Sequence, residues 1–215
     1  MQYIYVDFIL LIFNCEKYKY KAQKQKETWL KEQIINMPYF HVIGKPNLTT
    51  EYVFDNKDKI LYVQCLDDYV SLPQKAILAY SAINKEYIYK YIFKTDDDQN
   101  LIDYNFFNKI ITHLQNNPNI HYGGYIVNIK KDHFSNYHKV HPELPPNIPL
   151  FKTQYCSGRF YLLSTLAVEA LVLTKDKITK EYFEDYAIGY YLPDFLKKNI
   201  LNIQTNNYLV DFTFL

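Results

Sequence analysis

Tyr87-Ile88-Tyr89-Lys90-Tyr91-Ile92-Phe93-Lys94-Thr95-Asp96-Asp97-Asp98 is the stretch on which the reading of this chain turns. Its first half is aromatic and apolar, the composition of a buried strand. Its second half sets three carboxylates in a row, which repel one another unless a cation sits among them. α/β sheets hold ligands beyond the carboxyl ends of their strands, and the acids fall there. Asp96 and Asp98 are two residues apart, so in an extended chain they point the same way. Two readings of the acids stand at this point. One is a divalent metal with oxygen ligands, holding a phosphate in turn. The other is a solvated acidic turn capping the next helix.

Outward from this strand, apolar runs alternate with helical patterns. Asp7 to Phe13 reads as a first buried strand, and Lys21 to Ile35 as a helix ended by Met37-Pro38. Tyr39 to Ile43 and Lys59 to Val63 are short strands, the second followed by Asp67-Asp68. Leu72 to Asn84 is a helix with Pro73 in its first turn. Asp103 to Asn116 is another, with Asp103 as N-cap, and Tyr122 to Ile129 a further strand. Ile129 to Gln154 breaks the rhythm with four prolines and three histidines and reads as a long, functional loop. Phe160 to Leu163 is a strand, Thr165 to Leu173 a helix, and a last helix runs from Glu184-Asp185 to about Leu196. The tail from Tyr208 to Phe214 is strand-like. Together these predict one α/β domain with a mostly parallel, doubly wound sheet flanked by helices.

Composition narrows the function. The 215 residues suffice for one sizeable core. The net charge is +1, so nothing global favours nucleic acid or an anionic membrane. Cys15, Cys65 and Cys156 imply neither a disulfide framework nor a metal-type cysteine spacing. Phe8 to Phe13 is too short to span a membrane and lacks a basic leader, which leads us to expect action in the cytoplasm, as in a viral or microbial pathway, rather than in the Golgi lumen. Arg159 is the only arginine.

Three further segments carry chemistry. Glu184-Asp185 opens a helix, where acids complement the dipole or serve as a general base. Tyr155 to Ser164 places Ser157-Gly158 before an apolar strand, and Gly158 permits close approach to a ligand. Cys156 reads as a packed thiol rather than a nucleophile. Lys21, Lys24 and Lys26 precede Trp29, which reads as core. His133, His138 and His141 read as surface-loop residues, with a mobile segment over an acceptor as the other reading.

In order, these pieces resemble the β1,3-glycosyltransferases, the family of the β1,3-galactosyltransferases, β1,3-N-acetylglucosaminyltransferases and Fringe. Lys21 through Trp29 is similar to the family's first-helix segment, with Lys21 and Lys26 in place of arginines. Phe40 to Gly44, then Asp67, Tyr69, Ser71, Leu72 and Lys75, then Lys94 with Asp96, Asp97 and Asp98 follow in family order. Tyr155 to Ser164 and Glu184 to Gly189 complete it. The resemblance implies a GT-A fold and inverting transfer of a hexose or N-acetylhexosamine from a UDP-sugar, with Mn²⁺ as cofactor and Mg²⁺ as a substitute. The acceptor would be a glycan, glycolipid or glycoprotein hydroxyl, joined through a β1,3 linkage. It assigns Asp98 and Asp96 to the metal and Asp185 to the catalytic base. Lys26, Lys75, Asp96, Asp97, Gly158 and Glu184 would meet the donor. Residues 1–128 would form the nucleotide-sugar half, and 129–215 the acceptor and base half. No histidine follows His141, whereas the family supplies a late histidine to the metal. The resemblance therefore leaves Asp211 or water to complete the shell, or else a degenerate carbohydrate-binding relative. A metal-dependent phosphoryl-transfer enzyme is the remaining class, and the neutral charge argues against a nucleic-acid substrate.

Overall fold

The computed structural model describes residues 3–31 and 37–212. Eight strands build the central sheet: β1 (Phe8–Phe13), β2 (Tyr39–Gly44), β3 (Tyr52–Asp55), β4 (Ile60–Val63), β5 (Tyr91–Asp96), β6 (Tyr122–Ile129), β7 (Thr153–Ser164) and β8 (Leu201–Asn202). Their spatial order is β8-β6-β7-β5-β1-β2-β4-β3. Six of the eight run the same way, and β7 and β3 run against them. The sheet is therefore mixed, with a parallel centre, in the single α/β domain that the resemblance implies.

β1 shows why the centre is parallel. All six of its residues are buried. Ile9, Leu11 and Phe13 enter one core cluster, and Phe8, Leu10 and Ile12 the other. A strand apolar on both faces needs cover on both, which helical crossovers provide. Helices α2 (Leu72–Glu86), α4 (Thr165–Leu173), α5 (Lys175–Ile178) and α6 (Glu184–Tyr191) lie over the first face. Helix α3 (Phe106–Asn116) and Trp29, which follows α1 (Lys19–Glu27), cover the second. Trp29 is core, as its composition suggested.

Several boundaries differ from the sequence expectation. Helix α1 ends at Glu27, and residues 32–35 of the expected helix lie outside the described residues. Helix α3 begins three residues after Asp103, whose carboxylate instead accepts from Asn105 N at 2.9 Å and pairs with Lys109. Pro193 stops α6 early, leaving a separate 3-10 turn at Asp194–Lys197. β3 carried no signal because an edge strand needs only half-burial. β7 is far longer than Phe160 to Leu163, since Thr153–Cys156 also pairs with β6. The tail contributes Leu209–Asp211, paired antiparallel with Gln99–Leu101, and residues 213–215 lie outside the description. The proline-rich segment is an ordered strap, closed at its base by His133–Phe134 pairing with Pro149–Leu150.

Candidate active site

The acid turn is held from beneath by helix α1. Gln25 is fully buried, and its amide donates to Asp96 O and Gln99 O, both at 3.0 Å. Trp29 Nε1 donates to Gln99 O at 3.1 Å. These bonds satisfy carbonyls that leave the ladder as β5 ends, and so fix the turn's course. Asp97 N still bonds to Phe13 O at 3.0 Å, which anchors the triplet to β1.

Lys94 is the hub. It is 2% exposed, and its Nζ lies 2.7 Å from Asp96 Oδ1, 2.7 Å from Gly158 O and 3.5 Å from Glu184 Oε2. The rings of Phe13 and Tyr161 flank it. Burial pulls its pKa down, but Asp96 and Glu184 together outweigh burial and hold it charged, above the ordinary lysine value. One ammonium thus joins the end of β5, β7 and the start of α6.

β7 takes part through a bulge. Its register against β6 shifts between Cys156 and Tyr161, and Gly158 lies inside the shift. Backbone groups freed from a ladder can face a site. Gly158 N donates to Asp185 Oδ2 at 2.9 Å while its carbonyl accepts from Lys94. A Cβ on Gly158 would sit 3.5 Å from Lys94 Nζ and 3.6 Å from Asp185 Oδ2, so a side chain would fill the space between them. Cys156 is packed, its thiol pushed up to about 12 by burial, so it is no nucleophile.

The two acids of α6 face different ways. Asp185 accepts from Gly158 N and from Tyr186 N, the latter at 2.7 Å, yet burial still raises its pKa above the usual carboxylate range. Glu184 is 7% exposed; one oxygen accepts from Tyr161, which also pairs with Tyr80, and the other faces Lys94. Burial raises Glu184 to about 7, against the pull of Lys94. Glu184 is thus part of the hub.

The triplet divides its work as well. Asp97 is 8% exposed and meets Lys21 Nζ at 3.1 Å, and burial raises it to about 6. Asp96 gives one oxygen to Lys94, and burial raises it too. Asp98 Oδ1 and Asp211 Oδ1 each lie 2.8 Å from Gln99 Nε2. The other end of that amide, Gln99 Oε1, is buried without a partner among the described residues. Arg159 holds this corner together, donating to Leu209 O at 3.1 Å and to Asp211 Oδ1 at 2.9 Å.

The two lysines expected at the donor each hold partners within the protein. Lys75 is 1% exposed, with its ammonium 2.7 Å from Asp67 Oδ1 and 2.8 Å from Asn14 O. Asp67 also accepts from Gly44 N and Glu16 N, so this pair ties the loops after β1, β2 and β4 together. Lys26 Nζ donates to Asp58 O, just before β4, at the opposite edge of the parallel sheet. Lys21, also on α1, does reach the triplet, at Asp97. It lies one turn before Gln25 on the same face, a spacing that could have singled it out.

Among the described residues, no three or more His, Cys, Asp or Glu side chains gather in an arrangement that could hold a metal ion. Small divalent cations are often held by one or two carboxylates and completed by substrate phosphates. Asp98 and Asp211 fit that smaller requirement, beside an amide whose oxygen lacks a partner among the described residues. No helix of the described residues is long and apolar enough to cross a membrane.

The galactosyltransferase family model matches residues 22–200. No curated protein matches the chain in sequence. Among solved structures, a glycosyltransferase involved in glycosylating the major capsid of PBCV-1 is similar at 16% identity and a TM-score of 0.44, over 80% of this chain and 66% of that one. The chain thus spans just under two thirds of that structure's length. A putative glucose-1-phosphate thymidylyltransferase from Bacillus anthracis is 10% identical, with a TM-score of 0.45 over 91% of this chain and 85% of that one. Core-mannan synthase A from Aspergillus fumigatus, in its Mn/GDP form, is 11% identical, with a TM-score of 0.43 over 87% and 69%. The family match spans most of the chain and includes every residue of the hub, and so this protein belongs to the galactosyltransferase family of glycosyltransferases.

Proposed function

We propose that the protein transfers a hexose or N-acetylhexosamine from a UDP-sugar to an acceptor hydroxyl, with inversion at the anomeric carbon and a β1,3 linkage. The observation that carries this reading is the hub. Lys94 brings the acid turn of β5 and the acids of α6 together at the carboxyl edge of the sheet. Inverting transfer needs a diphosphate site on one side of the anomeric carbon and a base on the other.

Asp185 is the proposed base. Two backbone N–H groups orient its carboxylate, and burial raises its proton affinity, which suits a group that must accept a proton in the reaction. The acceptor oxygen attacks the anomeric carbon as its proton passes to Asp185, and the bond to the diphosphate breaks in the same displacement. No covalent enzyme intermediate forms. Lys94 keeps Asp96, Glu184 and Asp185 from repelling one another. Lys21 and Asp97 border the donor side. Asp98 and Asp211 would hold Mn²⁺ or Mg²⁺, with Asp96 beside them, and the cation would offset the charge of the leaving diphosphate.

Calorimetry with UDP and Mn²⁺ tests the two sides separately. Asp98→Ala is expected to abolish Mn²⁺-dependent UDP binding. Asp185→Asn is expected to keep UDP binding and lose transfer by about 10³-fold or more, the upper range for general-base loss. Full transfer by Asp185→Asn would remove the assigned base. Absence of UDP binding in the native chain would favour a glycosyltransferase fold kept for carbohydrate binding.

A further inference from the structure

A wall of aromatic rings borders the acids and has no part in the steps above. The strap between β6 and β7 carries Tyr137 and His141 over to Tyr69, which precedes α2. The Tyr69 and His141 rings stack at 4.3 Å with 10° between their planes, and His141 and Tyr137 at 4.9 Å and 27°. Tyr137 then meets Phe183 edge-on at 5.7 Å and 77°. Phe183 is the N-cap of α6, two residues before Asp185. The rings therefore run unbroken from the start of α2 to the start of α6 and end beside the proposed base.

This wall is accessible as well as ordered. Tyr137 remains 44% exposed, so part of its ring is open to a ligand. Burial, then Tyr137 and Asp185, push the Tyr69 hydroxyl well above its ordinary value. A pyranose suits such a surface. One face of the ring is largely C–H and packs on an aromatic plane, while its rim of hydroxyls meets polar groups. A nucleobase also stacks on rings. The wall ends, however, at Phe183, two residues from Asp185, the group that the acceptor hydroxyl must reach.

We propose that Tyr137, with Phe183 beside it, is the platform on which the acceptor's sugar ring stacks and so presents a hydroxyl to Asp185. This rests on the assignment of Asp185 as the base. The strap is then the specificity element of the acceptor side, since its rings decide which face and which hydroxyl a pyranose can offer.

Saturation-transfer NMR on the full chain tests it, with methyl glycosides of glucose, galactose, mannose and N-acetylglucosamine as probes, with and without UDP and Mn²⁺. At least one glycoside is expected to receive saturation through its C–H protons. Tyr137→Ser is expected to weaken that glycoside roughly tenfold, the scale of one aromatic contact. Tyr137→Phe should keep it, because the ring and not the hydroxyl forms the platform, and UDP affinity should be equal in all three proteins. Binding of none of the glycosides, equal binding by Tyr137→Ser, or a parallel loss of UDP affinity in that variant would each overturn the proposal. Glycoside binding without any UDP binding would instead reject the transferase reading and leave the platform standing.

Discussion

Lys94 carries more of this site than any acid does. Removing one partner of a buried charge cluster leaves the others unpaired in a poor solvent, which costs roughly 3–5 kcal/mol. Lys94→Met keeps the stem and deletes the charge. We expect it to lower stability by about that much and to move the acidic limb of the transfer pH profile upward, because Asp96, Glu184 and Asp185 lose the cation that opposes their burial. Urea denaturation and a pH–rate series would read the two effects. An unchanged profile would mean that Lys94 acts on packing alone. The acids themselves were legible in the sequence, because three adjacent carboxylates after an apolar strand are rare in a core. The division of labour among them was not legible. Glu184 and Asp185 are neighbours in sequence, yet one turns into the hub and the other toward Gly158. Lys26 and Lys75 carried charge at suggestive spacings, but the partners that occupy them are remote in sequence.

Helix α6 and strand β7 form the element pair on which Asp185 depends. Their contact is unusually close at Gly189, where a Cβ would fall 2.2 Å from Tyr155 Cβ and 2.6 Å from Tyr155 Cα. Backbone cannot give way at that distance, so Gly189→Ala must push α6 off β7. Overpacking of this kind costs about 1–3 kcal/mol, and the displacement should also lengthen the Gly158–Asp185 bond. We expect a lower thermal midpoint and a fall in kcat, with UDP affinity preserved because the acid turn hangs from α1 and β5 instead. A fall in UDP affinity of the same size would show that the two sides of the site are not separable. The central strands and α2 were readable from hydrophobic period. The bulge in β7 was not, because its cause is the register against β6, which no local pattern encodes.

At the scale of the whole molecule, burying so many acids makes stability depend on pH. Glu184 rises from 4.5 to about 7 and Asp97 from 3.8 to about 6, both through burial. Each therefore binds its proton more tightly in the folded state than in the unfolded one. Stability linked to them is fully present below the unfolded values and is lost as pH rises toward 6 to 7. His41 acts in the opposite sense. Burial lowers it from 6.5 to about 3, so it favours the fold above 6.5 and costs stability as pH falls toward 3. Denaturant titrations from about pH 5 to 7.5 should show Glu184→Gln losing the decline with rising pH that Glu184 contributes, at most about 3 kcal/mol. An unaltered slope would show that Glu184 ionises in the fold as freely as in the unfolded chain. The sequence by itself determined the alternation of strand and helix, the single α/β domain and the acids at a strand end, because hydrophobic period and charge are local properties. The tertiary structure alone decided which cations and amides those acids meet, that Asp211 arrives beside Asp98, and that Tyr69, His141 and Tyr137 stack into one wall. Each of these joins residues far apart in the chain, and only the packing of the sheet and its loops brings them within reach.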